Sequence, residues 1–160
     1  MPPTPFPPPL EELGDTWADG RVSVAGEHLA SNAVMRRLAV AYEAAATHGH
    51  GPRITLGLAP HTRHEIGLFA FAVAARRRGM DTDYLGADLP LDDWLGVVDD
   101  PDLAAVVLAI PTTADIPCAD EVITALCDRR PDLVVAGAKT LATVISRTPP
   151  LPPGESSRTR

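Results

Sequence analysis

"RITLGLAPHTRHEIGLFAFAVAARRRG", residues 53–79, decides the fold. Its first part, "RITLGLA" (53–59), is a short apolar run bounded by Pro60 and reads as a buried strand. Its last part, "EIGLFAFAVAARRRG" (65–79), is too long for a strand and is apolar at nearly every position. A helix with apolar residues nearly all round is covered on most sides. Arg76, Arg77, Arg78 and Gly79 close it, cations and a glycine where a helix ends. Between strand and helix stand His61 and His64, two of the five histidines in the chain.

Reading downstream, strand and helix patterns alternate. "DTDYLG" (81–86) is a short strand and "LDDWLGVVDD" (91–100) a helix with acids in its first turn. "LAAVVLAI" (103–110) is a continuous apolar strand, "CADEVITALCDRR" (118–130) a helix, and "DLVVAGA" (132–138) a fourth strand. Strands buried on both faces belong to parallel sheets, and this order predicts a flavodoxin-like (Rossmann-like) α/β domain: an open parallel sheet with right-handed crossovers. After the fourth strand, "KTLATVISRT" (139–148) can supply one short helix or one short strand, not the helix and fifth strand usual in such sheets.

Upstream, Leu10–Asp19 reads as a short helix. Ser23 can cap a longer one running to about Thr47, on which Val24, His28, Ser31, Met35, Leu38 and Tyr42 share a face. "HGHG" (48–51) is a break. The organisation predicted is a Pro-rich disordered tail (1–9), a helical cap forming part of a bundle (10–49), the α/β domain (50–148) and a second disordered tail (149–160).

Formal charge is −7, which argues against a nucleic-acid surface. No apolar run is long enough to span a bilayer, the start has no signal-peptide features, and two cysteines, Cys118 and Cys127, show no metal-ligand spacing or disulfide framework. A cytoplasmic setting is expected, with both cysteines as small core residues.

In open α/β sheets ligands bind beyond the carboxyl ends of the strands, where the strand order reverses. In a flavodoxin-like order that point lies between strands one and three. Candidate residues there are His61, Thr62 and His64 after strand one, and Pro111 and Thr112 after strand three. Gly67, one turn after His64, leaves room for a ligand to approach the backbone. On spacing alone, a histidine before a helix reads equally as a capping or solvated residue. A dinucleotide is disfavoured, since the loop lacks the G-x-G-x-x-G spacing, and there is no H-E-x-x-H motif or nucleophile elbow.

Two local patterns coincide: His64-x-x-Gly67 directly after the first strand, and Trp17 separated by nine intervening residues from Glu27-His28. With "LGDTWADGRVSVAGEHLASN" and "HTRHEIGLFAFAVAARRRGMDTDYLGADLP", they resemble the light-sensing module of the cobalamin-dependent photoreceptors of the CarH, LitR and AerR group, over roughly residues 10–138. The resemblance implies a cobalamin, adenosylcobalamin above all, with His64 as lower axial cobalt ligand in place of the cofactor's own base. Trp17, Glu27 and His28 would cover the upper face. The nucleotide tail would lie in the crevice, where Gly137 stands for one of the family's glycine pair and Ala136 for the other. A related lineage, the photocobilins, adds a bilin such as biliverdin as a second chromophore.

The chain departs from related patterns at four places. Corrinoid enzymes carry an acid two residues before the ligand histidine, where this chain has Thr62, and a serine where it has Ala109. Without that relay an enzymatic role is not expected. Ala18 stands where the photoreceptors' second histidine follows the tryptophan, and the bundle lacks its first two helices. The expected function is a cobalamin-binding light sensor without DNA binding or membrane association, signalling through homodimerisation of the truncated bundle or through a protein effector. The alternatives are a corrinoid carrier for methyl transfer and a cofactor-free interaction domain.

Overall fold

The computed structural model describes residues 23–45, 51–139 and 143–146. Along the chain these form α1 (Val24–Ala44), β1 (Arg53–Leu58), α2 (Ile66–Arg76), β2 (Asp81–Gly86), α3 (Leu91–Val97), β3 (Leu103–Ile110), a short 3-10 turn (Thr113–Asp115), α4 (Ile116–Arg129), β4 (Val134–Lys139) and β5 (Thr143–Ser146). The expected helix at Leu10–Asp19, Trp17 within it, and both terminal tails lie outside the described residues.

The sheet order is β2-β1-β3-β4-β5. β1 pairs in parallel with both β2 and β3, and β3 with β4. This is the flavodoxin-like α/β arrangement read from the sequence, and its order reverses between β1 and β3. The end of the chain resolves the alternative left open at 139–148: the segment contributes a strand, and β5 runs antiparallel to β4, with Gly137 opposite Ile145. Only the three residues 140–142 separate β4 from β5, too few for the crossover that a parallel pair needs, so the fifth strand must return antiparallel.

Alternation along the strands builds one core on each face. Ile54, Leu56 and Leu58 of β1 point to one side and pack with Tyr42 of α1 and Phe69, Ala72 and Val73 of α2. Val106, Leu108 and Ile110 of β3 point to the other and pack with Trp94 of α3 and Ala119, Val122 and Leu126 of α4. Because both faces are covered, β1 and β3 are apolar almost throughout, as two-sided burial requires. Gly57 lies beneath Trp94, and a Cβ there would come within 2.8 Å of the indole Cζ2. Cys118 and Cys127 are both free thiols, partly buried against the second core.

Local signals explain the helix ends. Ser23 caps α1 by accepting from the Gly26 N–H at 3.2 Å. α4 begins two residues before the predicted start because Pro117 fits the first turn, where its missing N–H costs no bond. α2 ends near Gly79, whose φ of 87° is readily reached by glycine.

α1 is held at its carboxyl end. The Tyr42 hydroxyl donates to the Thr82 carbonyl at 2.5 Å, and the Arg76 guanidinium lies 3.6 Å above the Tyr42 ring. Met35, Leu38 and Ala41 continue the contact upward along the same face. From Tyr42 back to Val24 the helix rises about 27 Å, while all of α2 spans about 16 Å. The first turns of α1 therefore run past the start of α2, at the end of the molecule where the strands finish. Exposure along the face that carries Tyr42 agrees: Tyr42 is 9% exposed and Val24 64%. The face predicted as continuous is thus buried only over its lower half.

Candidate functional site

The loop from Ala59 to Glu65 leaves β1 at the point where the strand order reverses. It opens with a turn in which the Thr62 N–H donates to the Ala59 carbonyl at 3.1 Å. His61 within that turn has φ 66°, an uncommon value for a residue with a side chain. His61, Arg63 and His64 are exposed, whereas Thr62 is only 1% exposed. The loop is therefore anchored by its centre and presents its flanking side chains outward.

Two neighbouring loops supply the anchors. From the loop after β2, Asp88 accepts the His61 N–H at 2.7 Å and the Arg63 guanidinium at 3.4 Å. The Asp88 N–H in turn donates to the Thr62 carbonyl at 3.0 Å. From the turn after β3, Asp115 accepts the Thr62 hydroxyl at 3.2 Å, the Thr112 N–H at 2.9 Å and the Thr112 hydroxyl at 2.7 Å. Hydrogen bonds to the ionised form set both acids. The Thr112 hydroxyl first, then its N–H and Thr62, hold the Asp115 carboxyl below the usual carboxylate range against the effect of burial, and the charge of His64 adds to this. The His61 N–H does the same for Asp88, with Arg63 contributing.

Where α2 begins, Glu65 accepts the Tyr84 hydroxyl at 2.8 Å, and the Tyr84 ring stacks on Phe69 at 4.3 Å. Burial, with Glu65 next, pushes the Tyr84 hydroxyl well above its ordinary range. His64 and Gly67 follow the spacing of one helical turn. At Gly67 an added Cβ would meet no atom within 4 Å, so the space beside it is open.

Of the other sequence candidates, Thr112 sits in the Asp115 network. Pro111 is half-buried at the end of β3, and Gly137 lies in β4 beside Leu108. Glu27 and His28 lie on the overhanging start of α1, with His28 Nε2 3.5 Å from a Glu27 oxygen and the Ser31 hydroxyl donating to Glu27 at 2.9 Å. Ala109 faces the α2 side of the sheet, so no hydroxyl reaches the loop from that position. Thr62, at the position where corrinoid enzymes carry an acid, instead donates to an acid that sequence reasoning overlooked: Asp115, brought from the next crossover. Its only local signal was the pattern Thr112-x-x-Asp115, a capping box.

Among the described residues no group of three or more His, Cys, Asp or Glu side chains is placed to hold a metal ion. His64 can therefore offer a metal one ligand only. That suits a metal arriving with its equatorial ligands already in place, and not a bare ion, which needs several protein donors.

The class defined by this arrangement is an α/β domain of the flavodoxin-like kind whose switch-point loop exposes His61 and His64. Solved structures share the fold. A cobalamin-binding protein from Desulfitobacterium hafniense DCB-2 superposes with a TM-score of 0.53 at 24% identity, covering 59% of this chain and 47% of that one. The methanol:cobalamin methyltransferase complex MtaBC from Methanosarcina barkeri superposes with a TM-score of 0.54 at 17% identity, covering 82% of this chain and 52% of that one. In sequence, the chain is similar to two proteins of Myxococcus xanthus. It is 36% identical over 88 residues to the HTH-type transcriptional repressor CarH and 37% identical over 83 residues to the HTH-type transcriptional repressor CarA. These alignments cover 54% and 52% of this chain but only 28% and 27% of the two repressors. The chain spans about a quarter of the length of the curated relatives it matches. No family model matches it. No described helix is long and apolar enough to cross a membrane.

Proposed function

We propose that the chain binds a cobalamin, with the imidazole of His64 as lower axial ligand to cobalt, and that it acts as a sensor. The observation that carries this reading is the exposed His64 at the β1/β3 switch point, one turn from the open space at Gly67, while the neighbouring His61 is tied by its backbone N–H to Asp88. A corrin ring supplies the equatorial nitrogens that the protein lacks. Glu27 and His28, on the overhanging turns of α1, would face its upper side, and the tail would enter the crevice near Thr112 and Gly137. The similarity to two transcriptional repressors supports a regulatory use of such a site.

The proposed stimulus is light, acting through cleavage of the cobalt–carbon bond of adenosylcobalamin, with a bilin such as biliverdin as a candidate second chromophore. The proposed output is altered self-association or effector binding. Leu29 and Val40, each 71% exposed, leave two apolar side chains on the outer face of α1, with Arg36 between them, for a second copy to cover. The test is to add adenosylcobalamin in the dark, with and without biliverdin, and to record visible spectra and sedimentation before and after green light. Binding, a spectral change on illumination and a change in association state are expected. A protein that stays colourless, or one whose bound cofactor ignores light, would sink the sensor reading. His64→Ala should abolish the histidine-ligated spectrum.

A second reading is favoured by one observation. Asp115 places a carboxylate by the ligand loop, bonded to Thr62 at the position where corrinoid enzymes carry an acid. The chain would then be a corrinoid carrier that passes a methyl group between partner enzymes. Methyl transfer from methylcobalamin-loaded protein to an added thiol or methyltransferase, without any response to light, would select it.

A further inference from the structure

We infer that Asp88 and Asp115 are positioning residues, a two-sided clasp that fixes residues 61–63 and so sets the direction of the His64 imidazole toward cobalt. The inference rests on the reading of His64 as the cobalt ligand. The two carboxylates come from the strands on either side of β1, and both close on the three residues immediately before His64. Asp88 takes the backbone N–H of His61 and returns its own N–H to the Thr62 carbonyl. Asp115 takes the Thr62 hydroxyl, the one buried side chain among residues 61–63.

A bland structural role accounts poorly for the backbone. His61 and Asp88, which bond each other, are the two described residues other than glycine with positive φ, 66° and 58°. Such conformations persist only where surrounding bonds fix them. A loop held this way leaves little ordering entropy to be lost on binding. That matters most for a site that offers a single ligand, because one imidazole off axis has no neighbour to compensate. Partners that orient a ligating histidine through adjoining groups change metal affinity by about 10- to 100-fold when removed.

The experiment uses the full chain with cob(II)inamide, which lacks the nucleotide base, so any axial nitrogen must come from the protein. Affinity is read by titration and coordination by the nitrogen splitting in the electron paramagnetic resonance spectrum. Protein labelled with nitrogen-15 in histidine identifies the source. Wild type should show imidazole coordination and His64→Ala should not. Asp88→Ala and Asp115→Ala should each bind about 10- to 100-fold more weakly, with part of the bound cobalt lacking the nitrogen splitting. Asp88→Asn and Asp115→Asn keep an acceptor oxygen and should recover most of the affinity. They also carry the test if an Ala variant fails to fold. A purely structural role would lower the melting temperature yet leave every bound cobalt nitrogen-coordinated, and that result overturns the inference. Wild-type affinity and full splitting in both Ala variants overturns it as well, leaving the cobalamin reading intact. No nitrogen splitting in wild type overturns both.

Discussion

Replacing Gly67 with alanine should stabilise the free protein and weaken its ligand binding, two effects of opposite sign from one methyl group. Gly67 is the second residue of α2, its φ lies outside the left-handed region, and an added Cβ meets no atom within 4 Å. The fold itself therefore gives no reason for glycine. At a position whose conformation alanine can adopt, the exchange stabilises by roughly 0.4–1 kcal/mol, mainly by restricting the unfolded chain. For a chain of this size that is a rise of about 1–4 °C in melting temperature. The same methyl group would enter the open space one turn from His64. Crowding a closely packed contact costs about 1–3 kcal/mol, so the dissociation constant for cobinamide should rise roughly five- to hundredfold. Calorimetry without ligand gives the first number and a spectrophotometric titration the second. A lower melting temperature would mean that the fold requires the glycine. An unchanged affinity would mean that no ligand approaches there, and either result refutes the reasoning.

The docking of α1 offers a second test. Tyr42→Phe keeps the ring under Arg76 but removes the hydroxyl bonded to Thr82. Because Arg76 also donates to the Thr82 carbonyl and hydroxyl, neither is left unpartnered, and a loss of about 1 kcal/mol in urea-unfolding stability is expected. A loss above about 3 kcal/mol would show that α1 docking depends on more than this bond. The pH dependence of the loop follows from Asp88. Its carboxyl is lowered in the fold, so its contribution is fully present above the unfolded value of about 3.9 and disappears as pH falls through the lower folded value. The side-chain carboxyl carbon shift of Asp88 should therefore be constant above about pH 5 and titrate with a midpoint below about 3.9. A midpoint above that would contradict the bond.

Much of this protein is legible in one dimension because the signals are local. The apolar runs at 53–59 and 103–110, the helical stretch after His64 and the glycine that ends it fix the order of elements. That order locates the switch point and puts His64 at it. Ser23 and Gly79 work through neighbours a few residues away. Element ends were less certain. α3 stops at Val97, short of the predicted Asp100, where Val98 carries the cap geometry, and α4 starts at Ile116, ahead of the predicted Cys118.

What the sequence could not declare depends on contacts between distant residues. Asp88 and Asp115 stand 27 and 53 positions from the loop residues they hold. Nothing in their own neighbourhoods marks them as partners of His61 and Thr62, and only the parallel pairing of β2, β1 and β3 brings the three loops to one end. The same holds for the antiparallel course of β5 and for the overhang of α1, set by where Tyr42 meets Thr82 and Arg76. The sequence by itself determined the strand-helix order and placed His64 at the switch point. Tertiary structure alone decided what holds that residue in place, because a hydrogen bond needs two groups within about 3 Å, and chain spacing brings only near neighbours that close.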